Sequence, residues 1–536
     1  MATTIRSSAS VSLAILVSRV LGVVRDSLFA RIFGVSALTD AYVAAFRIPN
    51  LLRDLFAEGA LSSAFVPTFS EALSKGGQER AYRLGNLVLG GVLLVTGVLA
   101  LAGLLWAAEL VSLITRGFGG NAAQVATSGL LARIMMPILT LVSVSAVWMG
   151  MLNAQQRYLA PAYAPAMFNV TSITCGLLLL FLQLSERTGM IVWSAGTAAA
   201  GLVQAVVQLP SLYRLGYRLR PSLAGLLRDV DVRRIMRLMG PATVGLAAIQ
   251  INVFVNTQYA AALGSGPLTY LQNAFRLFYL PVGLFGVALA TVTTARASEE
   301  AARGDRSALI DRMVDGARGV WLLALPAAVG LIVLAKPVVQ LLFQGGRFLA
   351  ADTAATVPIV QAYMVGVLPY SLVKVFAPAF FAVDRPRVPM FASVSSVAAN
   401  LVFNGLTYRW LGAPGLALGT TVAALVNLAI LRLWFGRALG RPDRPGWLRD
   451  VALILLANAV LAAVAFVLWR GAAYGISALP VAWPRGTFRM VFGLALFATI
   501  AAGFLVYALC LRWLRVRGGE EVWELPRKLV RRLVGR

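Results

Sequence analysis

Histidine is absent from this 536-residue chain, and cysteine occurs only at Cys175 and Cys510. The first absence removes the commonest general base and the commonest metal ligand together. The two cysteines lie far apart in separate apolar segments, which favours packing over a disulfide or a metal site. Acidic residues are scarce, 22 against 48 basic ones, and charged residues make up only 13% of the chain. About a quarter is usual in a soluble domain. No stretch of about 100 residues is polar enough to form a separate soluble domain. A signal peptide is not expected either: the first apolar stretch is long, carries charge, and lacks a small-residue cleavage site. No metal or other cofactor is expected.

Apolar residues dominate what remains. They make up 59% of the chain, and the mean hydropathy is +0.78. Windows of about 20 apolar residues recur from end to end, which predicts an all-α polytopic membrane protein of about fourteen transmembrane helices. The net charge of +26 is not scattered as a nucleic-acid footprint would be. Basic residues gather in alternate loops, as the positive-inside rule requires. Lys75, Arg80 and Arg83 follow the second segment; Arg214, Arg218, Arg220, Arg228, Arg233, Arg234 and Arg237 follow the sixth. Arg296, Arg303, Arg306 and Arg312 follow the eighth, with further clusters after the tenth and twelfth. Both termini are therefore expected in the cytoplasm.

An internal repeat organises these segments. Ala45-Phe46-Arg47 is matched by Ala274-Phe275-Arg276, Leu55-Phe56 by Leu284-Phe285, and Ser70-Glu71 by Ser298-Glu299 after a one-residue gap. The matches fall in the second and eighth segments, which run the same way through the membrane. Two parallel six-helix lobes follow, at residues 1–228 and 229–440. Residues 441–536 add two C-terminal helices and a basic tail. Parallel repeats related by an axis along the membrane normal belong to transporters that hold substrate between the halves.

Four arginines lie where hydrocarbon tolerates them least: Arg19, Arg25, Arg53 and Arg276. Each costs at least about 2.5 kcal/mol in the bilayer centre, so the set implies a wet, cationic interior. Ser12, Arg19 and Asp26 share one helix face at seven-residue spacing, as do Asp40, Arg47 and Asp54 on the next segment. Structural pairing, Arg19 with Asp26 or Arg53 with Glu58, is the competing explanation. It suits the set poorly, because cations outnumber carboxylates on these segments. Guanidinium forks bind phosphate and carboxylate in a way lysine does not reproduce. Asn252, Asn256, Asn400 and Asn404 favour helix-packing hydrogen bonds over a cation site. Lys374 either snorkels or lines a cavity.

These residues carry a family likeness. Ser18-Arg19-Val20-Leu21-Gly22 with Arg25-Asp26, then Thr39-Asp40-Ala41, Pro49-Asn50-Leu51-Leu52-Arg53 and Phe56-Ala57-Glu58-Gly59-Ala60 closely resemble the MurJ (MviN) lipid II flippases. Phe65-Val66-Pro67, Leu152-Asn153-Ala154, Met239-Gly240-Pro241-Ala242 and Lys374-Val375 with Ala377-Pro378 extend the likeness over nearly the whole chain. The resemblance implies two lobes around a cationic cavity and a lipid-side groove at the last two helices. It implies outward movement of undecaprenyl-diphosphate-linked peptidoglycan precursor across the bacterial cytoplasmic membrane, with lipid II and membrane lipids as partners. Association with cell-wall synthesis machinery and function as a monomer belong to the same expectation. Arg19, Arg25, Arg53 and Arg276 become the substrate-binding set, supported by Asp26, Asp40 and Glu58. An alternative is a related exporter of drugs or other polyprenyl-linked glycolipids. An enzyme is disfavoured, because no nucleophile–base set or acidic metal cluster stands on a polar loop. Tyr279 departs from the family pattern, since some relatives carry an acidic residue there. The neutral asparagines argue against sodium coupling.

Overall fold

The computed structural model describes residues 2–54, 60–383, 385–438, 440, 446–478 and 485–524. The described residues form no named β-strand; one isolated bridge joins Gly345 and Phe348. Helices alone are the expected outcome where a chain must satisfy its backbone polar groups without water. Ten described stretches are long and apolar enough to cross a membrane. The protein is a multi-pass membrane protein.

Two compact units emerge, Met1–Thr269 with Gly345–Leu349, and Tyr270–Gln344 with Ala350–Arg536. The first is built from α1 (Ala2–Phe33), α2 (Ala37–Arg53), α3 (Ala60–Leu105), α4 (Ala107–Thr115), α5 (Ala122–Met135), α6 (Pro137–Ala154), α7 (Leu159–Leu182), α8 (Glu186–Val206), α9 (Leu209–Arg214) and α10 (Val230–Ala262). The repeat divides the sequence at residue 228, whereas packing carries α10 into this first unit. Neither α1 nor α10 is among the ten apolar stretches. Within α1, Arg6, Arg19, Arg25, Asp26 and Arg31 dilute the apolar run.

Local chemistry sets the helix ends. Ser36 caps α2 with a reciprocal Ser36–Thr39 box, Asn121 caps α5, Ser185 caps α8 and Asp229 caps α10. Each side-chain oxygen takes up an N–H that the first helical turn leaves unsatisfied. α3 breaks at Gly77, whose φ is 70°. Phe65, Phe69, Trp148 and Tyr217 anchor the apolar core of this unit. Tyr217 lies in the connection after α9, where burial pushes its phenol up to about 12. It stays neutral and donates to Asn86 Oδ1 at 2.6 Å.

The turn Gly345–Leu349 docks on the end of α1. Arg347 N donates to the Arg31 carbonyl at 2.9 Å, and the Arg347 guanidinium pairs with Glu186. Gly346 has φ +57°, and a Cβ there would stand 2.2 Å from the Arg31 carbonyl oxygen. Only glycine fits both the angle and the approach.

The second unit contains α11 (Pro267–Pro281, from Tyr270 onward), α12 (Ala288–Ala302), α13 (Arg306–Val333), α14 (Ala335–Leu342), α15 (Ala350–Val365), α16 (Val367–Ala382), α17 (Arg387–Ala438), α18 (Trp447–Ser477) and α19 (Arg485–Trp513). A π-helical turn, Val282–Val287, follows Pro281. α17 spans two of the sequence segments and breaks at Gly412, φ 58°. α18 and α19 pack around Ile454, Leu461, Tyr507 and Leu511. Cys175 and Cys510 are both free thiols.

Candidate functional site

α1 and α2 carry three of the four arginines. Arg19 is exposed on α1. One and three-quarter turns further on, Arg25 donates from Nε and Nη2 to Asp26 Oδ1, at 3.0 and 2.9 Å. Its guanidinium also lies 5.7 Å from the Phe168 ring centroid. Arg53 repeats the arrangement on α2, with Nε and Nη2 at 3.1 and 2.8 Å from Asp54 Oδ1. These side chains keep 15% and 25% of their exposure, and their carboxylates 13% and 38%.

The pairing differs from the helical-face expectation. Asp26 takes Arg25 rather than Arg19, because the long arginine side chain folds back on its immediate neighbour. Arg53 takes Asp54. Glu58 lies outside the described residues. Each pair uses a carboxylate of its own helix, and both guanidinium forks contact one carboxylate oxygen.

Asp40 has a different environment. It is fully buried, and its oxygens accept from Gly266 N at 2.5 Å, Thr269 N at 2.9 Å and Thr269 Oγ1 at 2.6 Å. All these residues belong to the first unit. Gly266 and Thr269 flank the first turn of α11, so Asp40 serves as an N-terminal cap supplied from another helix. A negative charge there is favoured by the helix dipole as well as by the orphan N–H groups.

Phe168 and Asn169 of α7 complete the setting of α1. Asn169 Nδ2 donates to the Ser18 carbonyl at 3.0 Å, one residue before Arg19. Neither residue stands out in sequence, since an apolar ring and a single amide on an apolar helix carry no charge signal. Their role follows from the packing of α1 against α7.

In the second unit, Arg276 is half-buried on α11. Tyr279, one turn on, is 44% exposed and its ring lies 5.8 Å from that of Phe275. Lys374 Nζ lies over the Tyr370 ring, 5.3 Å from its centroid. The asparagines bond one turn apart along their own helices. Asn256 Nδ2 reaches Asn252 Oδ1 at 2.5 Å, and Asn404 Nδ2 reaches Asn400 Oδ1 at 3.1 Å. Among the described residues, no group of His, Cys, Asp or Glu has the geometry to hold a metal ion.

Arg25 and Arg53 are thus partly exposed guanidinium groups on otherwise apolar helices, each paired with a neighbouring carboxylate, and the guanidinium fork is chemically suited to phosphate or carboxylate. Residues 29–479 match the family described as lipid II flippase MurJ. The probable lipid II flippase MurJ of Buchnera aphidicola is 31% identical over 90% of this chain and 93% of its own. The lipid II flippase MurJ of Burkholderia cenocepacia is 32% identical over 83% and 86%. A solved structure of a lipid II flippase MurJ in an inward closed conformation superposes with a TM-score of 0.76, at 24% identity, over 94% of this chain and 99% of that one. An inward-facing multidrug-resistance MATE transporter of the MOP superfamily shares the fold at a TM-score of 0.63 and 15% identity, over 81% and 96%. The extent of the family match, with relatives above 30% identity along most of their length, identifies this chain as a member of the lipid II flippase MurJ family, whose members are transporters rather than enzymes.

Proposed function

We propose that this protein moves lipid II from the cytoplasmic to the outer leaflet of the bacterial cytoplasmic membrane, with Arg19, Arg25, Arg53 and Arg276 as the contacts of its diphosphate. Family membership supports the substrate. The observation that carries the site is the way Arg25 and Arg53 are held. Each rests on a neighbouring carboxylate through contacts that a diphosphate can replace with better geometry. Asp26 balances Arg25 when substrate is away, Asp40 holds the start of α11, and Glu58 is assigned the matching role near Arg53.

Alternating access by rocking of the repeat-related halves, residues 1–228 and 229–440, provides the movement. Residues 441–536 guide the polyprenyl tail, which stays in lipid. Basic loops after the even-numbered segments put both termini in the cytoplasm. Inside-negative potential then favours outward transfer of an anion: two charges crossing about 100 mV gain roughly 4.6 kcal/mol. The same field returns the empty cationic site inward.

Depletion of the protein in its host, followed by measurement of lipid II in each leaflet, tests the substrate. Accumulation on the cytoplasmic side is expected. An unchanged leaflet distribution, with another polyprenyl-linked glycolipid accumulating instead, overturns the lipid II assignment.

A further inference from the structure

Within the second unit, a cavity of about 830 Å³ opens between α13, α16, α17 and the first residue of α18. It is distinct from the arginine set on α1, α2 and α11, and takes nothing from α19. Its walls change character along their length. Leu368, Leu372, Leu425 and Leu428 make one part apolar, whereas Arg432, Arg437 and Trp447 line the part where Phe376 packs on Phe435. From Leu425 to Arg437 the helix advances roughly 18 Å, at about 1.5 Å per residue.

The cationic end is organised from outside the cavity. Arg318 of α13 pairs with Asp315 at 3.4 Å and with Asp450 at 3.9 Å, and lies 5.8 Å from the Trp447 ring centroid. The two nearby carboxylates are thus engaged with Arg318. Arg432 and Arg437 are exposed and form no ion pair among the described residues. Trp447 lines the cavity with the Arg318 guanidinium over its ring, and amphipathic rings of this kind favour a membrane interface.

We infer that this slot binds one diacyl phospholipid with an anionic head group, its phosphate on Arg432 and Arg437 and an acyl chain along the leucine-lined wall. Charge complementarity and the one-ended polarity select this occupant. A zwitterionic lipid would leave two guanidinium groups half-answered, and an apolar solute would leave them unanswered. Basic pockets between transmembrane helices at the cytoplasmic side recognise anionic head groups in this way, and the volume, within the usual range for ligand pockets, takes the head group and part of one acyl chain while the rest stays in the bilayer. The leaflet, though not the chemistry, rests on the orientation proposed above. A bound lipid wedged between α13, α16 and α17 would set how far these helices slide past one another.

The test uses the full-length protein purified in detergent and titrated with phosphatidylglycerol or with phosphatidylethanolamine of the same acyl chains. Bound lipid is counted by native mass spectrometry. Selective retention of phosphatidylglycerol is expected. The double substitution Arg432→Ala, Arg437→Ala should weaken it about 30-fold, at about a fivefold loss for each arginine. Leu428→Trp, which fills the slot and leaves both charges, should also displace the lipid. Arg25→Ala, outside the slot, should bind phosphatidylglycerol as the wild type does even when transport is lost. Equal retention of the two lipids, or undiminished binding by the double variant, overturns the inference. So does displacement by undecaprenyl phosphate at equimolar concentration, which would make the slot part of the substrate path.

Discussion

Asp40 and Arg25 are charges on neighbouring helices of the same unit, yet the fold treats them in opposite ways. Asp40 is sealed from solvent, and three donors from the start of α11 saturate it. Arg25 is answered by the next residue along the chain and keeps part of its surface open. A charge fixed by distant residues is scaffold, because removing it strands several buried donors. A charge answered locally and left partly open is the kind the proposed anion could reach without stranding buried donors. Arg53 with Asp54 follows the second pattern.

The largest expected effect falls on the proposed diphosphate contacts. Arg25→Ala and Arg276→Ala should each abolish lipid II translocation while leaving expression and membrane insertion normal. Leaflet-resolved lipid II measurement with a membrane-fraction immunoblot reads both. Arg25→Lys should restore only part of the activity, since a point charge does not reproduce the fork. Normal translocation by the alanine variants would remove the functional half of the comparison.

Asp40→Ala should act on stability instead. It leaves Gly266 N and Thr269 N without their acceptor, at about 1–3 kcal/mol for each stranded group, while Thr269 Oγ1 keeps Thr39 Oγ1 at 3.2 Å. Thermal unfolding in detergent should show a large drop in Tm, with Asp40→Asn between the variant and the wild type. An unchanged Tm alongside lost transport would move Asp40 from scaffold to substrate handling.

Gly419→Ala provides a packing control remote from any charge. Its Cβ would stand 1.9 Å from Asn404 Oδ1, a buried amide that already bonds Asn400. Forced shifts of this kind cost about 1–3 kcal/mol. A lower Tm with the substrate response intact is expected, measured in the same scan.

The smallest effect belongs to Asp54→Asn. The pair it breaks is partly exposed, so the stability change should stay within about 1 kcal/mol. Transport should shift modestly, because Arg53 remains and only the Asp54 carboxylate is neutralised. A collapse in stability would show that the Arg53 pair is scaffold after all.

The α-helical membrane class, the family and the charged positions were legible in sequence. Hydropathy over about 20 residues is a local property, and an arginine within such a window announces itself by its cost. The amide pairs one turn apart were legible too, because helical spacing alone brings Asn400 to Asn404. Partner choice was not. Seven-residue spacing suggested Arg19 with Asp26, but the flexible Arg25 side chain reaches Asp26 first. Asp40 gave no sign of its partners, since Gly266 and Thr269 lie far along the chain and expose only a backbone N–H and a hydroxyl. Phe168, Asn169 and the turn at Arg347 were silent for the same reason.

Composition and periodicity thus determined what this protein is made of: apolar helices, and guanidinium groups placed within apolar stretches of sequence. Tertiary structure decided which charges are sealed and which stay reachable. That distinction depends on desolvation and on donors brought from more than 200 positions away, as with Asp40 and Thr269, and no local pattern encodes either.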